Sequence, residues 1–275
     1  MKKVVIFCFF VVSVAYIYAQ KSSIVVDSQK VKIASLDHKK IKTNIPLTKA
    51  QADSAYIRGD YVSAIAIYEE ILANKGESAD IYYNLGNSYY KNNNISKSLL
   101  NLERALLLDP GDSDIRFNLD LVRSKTVDKV AFVNEVFFVT WFHSIRNWMS
   151  ADQWGKVAIA SFFVFTISVS LYIFGKKIGF KKIGFIVAIF AFIIVILANT
   201  LAYFQKKSLL DRRNAIIMVP SVTVKSTPTE GGTDLFILHE GHKINIKDSY
   251  MRDWVEIRLE DGNVGWVPVS VIEII

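Results

Sequence analysis

The side chains best suited to acid–base or metal chemistry are four histidines: His38, His143, His239 and His242. They are scattered over three regions. Only His239 and His242 are near neighbours, and they flank a Glu240-Gly241 turn with no further ligand close by, so no metal site is expected. Glu69-Glu70 supplies adjacent carboxylates, but neighbours on a helix point in different directions, and the pair reads as a solvated face. No glycine loop with a phosphate-binding lysine occurs, nor a nucleophile elbow. The single cysteine, Cys8, sits in an apolar N-terminal run without a small-residue lipobox before it. Removal of that run would leave no thiol for disulfide, nucleophilic or metal chemistry. An enzyme is not expected, and no cofactor is implied. What remains are residues that recognise other molecules: tyrosines and asparagines at helical spacing, and tryptophans in strands.

The first set is carried by an internal repeat. Aligning Ala64 with Ser98 gives a 34-residue period that also superposes Gly59-Asp60 on Asn93-Asn94, Tyr56 on Tyr90, Tyr68 on Leu102 and Ile71 on Ala105. The second unit is the clearer, with Tyr82, Leu85, Gly86, Tyr89, Ser98, Leu102, Ala105 and Pro110. Small residues let two antiparallel helices approach, the large ones fill the gaps, and Pro110 ends the unit. This pattern resembles the tetratricopeptide repeat. The first unit departs from it with Ala52 for Gly, Ala55 for the aromatic and Gly76 for Pro. A further helix near 114–125, with Ile115, Leu119 and Val122 on one stripe, covers the last repeat, so the array spans 45–126. By that resemblance, a concave groove would be lined by Lys49, Asp53, Tyr56, Tyr83, Asn87, Tyr90, Lys91, Phe117 and Leu121. Tyr83 and Tyr90 then act either on a bound peptide or as packing against the next helix. Asp53 and Asp114 stand where a carboxylate-holding clamp would want neutral or basic groups, so the ligand stays unnamed.

Those elements need a place in the cell. Val157–Phe174 and Ile183–Phe204 carry no charge, and each is long enough for a helix to cross about 30 Å of hydrocarbon. Residues 175–182 between them hold four lysines, which favour the cytoplasmic side. The flank after the second span is also basic, and the N-terminus breaks the tie. Lys2-Lys3, the apolar Val4–Tyr18 and the small Ala19 form an export signal over 1–19, cleaved or kept as an anchor. Both soluble parts are therefore expected outside the cytoplasm. The lysine-rich 20–44 reads as a linker. Residues 132–150, with Phe137, Phe138, Trp141, Phe142 and Trp148, read as an aromatic helix at the membrane interface, or else as a partner-binding helix. Asn199 points either to helix association or to nearby water. Of the +7 net charge, six lysines (Lys2, Lys3 and the four in the loop) serve topology, so nucleic acid is not an expected partner.

After Arg213 the pattern shifts to short alternating runs broken at Pro228, Gly231-Gly232, Glu240-Gly241 and Asp261-Gly262, which predicts a small all-β barrel over 215–275. Val224-Lys225-Ser226-Thr227-Pro228, Trp254-Val255-Glu256-Ile257 and Asp261-Gly262-Asn263-Val264-Gly265-Trp266-Val267 resemble bacterial SH3-like domains. Tyr250, Trp254 and Trp266 would form its binding surface, unless Trp254, alternating with Val255, is core.

The expected fold is thus a multidomain membrane protein: an all-α tetratricopeptide array, a two-helix transmembrane hairpin and a small SH3-like barrel. That order, with the Trp141–Trp154 entry segment, resembles the BatE proteins of the Bacteroides aerotolerance family. The resemblance implies an inner-membrane protein with periplasmic domains. It also implies a non-enzymatic scaffold acting with other Bat proteins, von Willebrand A-type members and a MoxR-type ATPase in oxygen or stress tolerance. The rival expectation is a peptidoglycan sensor acting through the SH3-like domain.

Overall fold

The computed structural model describes residues 47–128, 137–251 and 253–275. The expected export signal, the linker and the start of the aromatic helix lie outside the described residues.

The array consists of α1 (Lys49–Ile57), α2 (Tyr61–Lys75), α3 (Ala79–Lys91), α4 (Ile95–Leu108) and α5 (Ser113–Arg123). Its starts and stops follow from side-chain chemistry. Asp60, Asn94 and Asp112 cap α2, α4 and α5 by accepting backbone N–H bonds. Gly59 (φ 79°) and Asn93 (φ 60°) take the left-handed conformation at the equivalent turn of each unit, which glycine and asparagine tolerate best. Within the second unit Gly86 lies against α4 so closely that an added Cβ would stand 2.8 Å from Leu102 Cγ. Ser98 Oγ donates to the Gly86 carbonyl across the same gap, at 2.8 Å. Ala52 and Ala55, the departures of the first unit, are fully buried, so methyl groups fill that crossing instead.

After the array come α6 (Phe137–Arg146), α7 (Ala151–Phe174) and α8 (Ile178–Asp211). The last two are long and apolar enough to cross a membrane, and only 11% and 22% of their most apolar stretches are buried, unlike helices of a soluble core. They pair along a seam of small residues on α8: Gly184, Ala188, Ala191 and Ala198, all buried. The spacing of four, three and seven keeps one face towards α7, and a Cβ on Gly184 would meet the Ser168 carbonyl at 2.8 Å. Asn199 is exposed rather than on this seam, donating Nδ2 to the Val195 carbonyl of its own helix at 2.8 Å. The connection is also shorter than the 175–182 read from the lysines. Helix α8 begins at Ile178, so Lys181 and Lys182 stand in its first turns, because nothing in that sequence breaks a helix.

The C-terminal region is a seven-stranded antiparallel sheet: β1 (Asn214–Ile217), β2 (Ser221–Lys225), β3 (Asp234–His239), β4 (Lys243–Met251), β5 (Trp254–Arg258), β6 (Val264–Pro268) and β7 (Ile272–Ile274). Their spatial order is β3-β2-β6-β5-β4-β1-β7. Alternation puts Val224, Leu238, Ile244, Ile246, Val255, Ile257 and Val267 into one core. A short 3-10 turn, Val269–Val271, leads into β7.

The sheet docks on α4. Leu100 packs with Ile216 and Ile275, and Leu107 and Met218 close the edges. Around this apolar patch lie polar contacts. Glu103, 4% exposed, is held between Arg123 of α5 and Lys243 of β4, the latter at 2.7 Å. Arg104 pairs with Glu273 at 3.2 Å, Arg212 pairs with Glu77, and Asp128 accepts from the His239 backbone N–H at 2.8 Å. Gly241 (φ 83°) is pressed against Leu99, where a Cβ would come within 2.8 Å. Burial alone would raise the Glu103 carboxyl, but Lys243 and Arg123 overcome it and hold the group below its ordinary value. Burial keeps the His242 imidazole below its ordinary value despite Asp128 opposite.

Two pH windows follow. The contribution of neutral His242 is complete above its ordinary pKa of 6.5 and is lost as pH falls through the lowered value. That of Glu103 is complete above 4.5 and is lost as pH falls through its own lowered value. Glu103→Gln at neutral pH is expected to cost about 2 kcal/mol, less than a fully buried pair because the cations left behind re-solvate. Hydrogen exchange of the detergent-solubilised protein should show faster exchange across α4 and β4 while the α7–α8 hairpin is unchanged.

Candidate functional site

Helices α1, α3 and α5 stand side by side on the face of the array opposite the docked sheet, and they carry the expected groove residues. On α1, the Lys49 ammonium is committed to Asp53 at 3.1 Å and Asp80 at 3.3 Å. Asp53 also accepts the Tyr68 hydroxyl. These two residues therefore tie α1 to α2 and α3 more than they offer charge to a ligand. Tyr56 is edge-on to Tyr61, with centroids 5.4 Å apart.

On α3, Tyr90 is half-buried against the Leu99, Leu102, Leu119 and Val122 cluster, so packing claims much of its ring. Tyr83 divides its roles. Its ring packs between the same cluster and Ile115, while its hydroxyl reaches the groove. There Asn118 of α5 donates Nδ2 to both Tyr83 Oη and Asn87 Oδ1, each at 2.9 Å. The side-chain carbonyl of Asn87 is thereby occupied. Lys91, at the end of α3, is exposed and stands apart from this network.

On α5 the expected Phe117 and Leu121 are exposed, at 70% and 41%. On α5, Phe117 and Leu121 thus present apolar surface, and Asn118 of the same helix joins the Tyr83 hydroxyl and Asn87 of α3. Such a surface suits an extended peptide, whose backbone needs amide partners and whose side chains need apolar contact. Asn118 was not among the expected residues. In the repeat register it corresponds to Asn84, which donates within its own helix to Asp80 at 3.5 Å, whereas Asn118 reaches across to α3.

The second expected surface is on the sheet. Trp254 and Trp266 are half-buried on the outer side, for their neighbours Val255, Ile257 and Val267 fill the core. Trp266 lies directly across from Glu256, which accepts from Lys247 Nζ at 2.7 Å. The Tyr250 side chain lies outside the described residues. His239 and His242 meet Asp128 at 2.7 and 3.4 Å, as part of the seam between sheet and array. Among the described residues no group of three or more His, Cys, Asp or Glu side chains is placed to hold a metal ion.

Asn118→Ala is expected to free Tyr83 and Asn87 and to cost about 1 kcal/mol of array stability. Thermal unfolding followed by circular dichroism would measure this.

Comparison with known families supports the array. The tetratricopeptide repeat matches residues 79–112, which covers α3, α4 and the turn that follows. No protein with a curated description matches the chain. The chain therefore contains a tetratricopeptide repeat, and its arrangement of two apolar helices and an antiparallel sheet stands on the structure alone.

Proposed function

We propose that this protein is a non-enzymatic, membrane-anchored scaffold whose helical array holds a protein partner in the groove between α1, α3 and α5. The observation that carries the reading is the Tyr83–Asn118–Asn87 network joining α3 to α5, with Phe117 and Leu121 exposed on α5. The docked sheet covers the opposite side of α4, so partner binding and sheet docking do not compete. The α7–α8 hairpin anchors the body, with the sheet as a small SH3-like barrel outside the cytoplasm at the bacterial inner membrane. The partners implied by the resemblance are other Bat proteins, including von Willebrand A-type members, and the MoxR ATPase system, in a complex that serves aerotolerance.

Affinity capture of the detergent-solubilised protein, compared with a Phe117→Asp/Leu121→Asp variant, tests the groove. Both residues are exposed, so the variant should fold. At least about a tenfold loss of the specific partner is expected, from removing apolar contacts worth about 1–2 kcal/mol each. Equal capture by the variant would remove the groove from the function.

A second reading rests on Trp254 and Trp266, which face outward on adjacent strands. Such a pair offers flat apolar surface to a peptidoglycan stem peptide, and the protein would then sense the cell wall. Pelleting of the solubilised chain with purified cell wall, lost in Trp254→Ala/Trp266→Ala, is the outcome this reading requires. Absence of pelleting would leave the scaffold alone.

A further inference from the structure

Helix α6 has two unlike faces. One packs on the hairpin: Phe142, Ile145 and Met149 meet Trp154, Ala158, Ala198 and Leu201. The Phe142 ring stands perpendicular to Phe204 at 5.6 Å, and Trp154 Nε1 donates to the Arg146 carbonyl at 3.1 Å. The other face has no partner among the described residues. Phe137, Trp141 and Trp148 are 82%, 60% and 69% exposed. Phe137 and Trp141 lie one turn apart, and Trp148 follows in the turn after the helix. Large aromatic rings left this bare, side by side, call for an apolar occupant.

The level at which α6 sits identifies that occupant. Its contacts on α8, Ala198 to Phe204, are the last turns of the uncharged run, and Lys206 and Lys207 follow immediately. On α7 its contacts, Trp154 and Ala158, flank Lys156. The helix therefore lies where apolar surface gives way to cationic surface. Tryptophan prefers this zone of a bilayer, where its ring meets acyl chains and its N–H meets water and headgroups. The end of α6 also abuts the array, since a Cβ on Gly111 would stand 2.6 Å from the Trp148 carbonyl oxygen.

We propose that the Phe137–Trp141–Trp148 row is embedded in the headgroup region of the bilayer, making α6 a third membrane-contacting element and a spacer that fixes the height of the array. This rests on the hairpin being in the bilayer, and the experiment separates the two. Cys8 is the only cysteine, so a Cys8→Ser chain accepts single spin labels. Labels are placed at Ser144→Cys, exposed on α6 between the tryptophans; at Phe190→Cys, midway along α8 and exposed; and at Glu230→Cys, in an exposed loop of the sheet. In nanodiscs of phosphatidylcholine and phosphatidylglycerol, collision with oxygen and with a water-soluble nickel chelate reports depth. Phe190→Cys is expected in the hydrocarbon, Ser144→Cys at the headgroup boundary and Glu230→Cys in water. None of the labels replaces an aromatic residue of α6, so its packing on the hairpin is kept. If the Ser144→Cys label behaves like the Glu230→Cys label while Phe190→Cys is deep, the interfacial position of α6 is overturned and the hairpin stands. If Phe190→Cys is also aqueous, both readings fall.

Discussion

Helix α4 has to satisfy three neighbours at once, and the arrangement of the soluble body depends on it. One face closes the second repeat through Ser98, Leu102 and Ala105. Another, carrying Leu100 and Leu107, meets the sheet at Ile216, Met218 and Ile275. Between them Glu103 is fully enclosed, and a buried carboxylate is tolerable only with cations at hand. One of its cations comes from α5 and the other from β4. The charge is neutralised only when array and sheet are together, so Glu103 favours this one docking over other apolar contacts Leu100 could make.

The docking decides which surfaces remain. With the outer side of α4 covered, α3 and α5 carry the Tyr83–Asn118–Asn87 network and the exposed Phe117 and Leu121. The hairpin is closed by a different rule. Its seam uses small residues, which let the two helix backbones come close, as Gly184 does against Ser168. The polar Asn199 and Thr200 are satisfied by their own helix, at 2.8 Å each, and need no partner. The hairpin, α6, the array and the sheet are connected by these contacts. Arg212, left-handed at the end of α8, turns the chain directly into β1 and pairs with Glu77 between the repeats.

Much of this was legible in the order of residues. The 34-residue register located both units and placed left-handed Gly59 and Asn93 at the same turn, because capping and helix-ending chemistry is local. Two uncharged runs and alternating β-segments are likewise local signals, set by the period of each element. The resemblance to the tetratricopeptide repeat implied Tyr83, Asn87, Phe117 and Leu121 as groove residues; in the structure Tyr83 and Asn87 share the Asn118 amide, and Phe117 and Leu121 are exposed.

What periodicity does not contain is the crossing of one helix over another. Packing between helices placed Asn118 against Tyr83 and Asn87, turned Lys49 and Asp53 into a tie among three helices, and half-buried Tyr90. Packing within the sheet settled the alternation at Trp254: the ring faces outward because Val255 fills the sheet core. The seam around Glu103, joining residues more than a hundred positions apart, had no signature in the sequence. A lone glutamate in an amphipathic helix reads as solvent-facing until another element buries it. The sequence by itself determined the elements and their faces. Only the tertiary structure decided which faces were covered, since burial belongs to pairs of elements and not to either one.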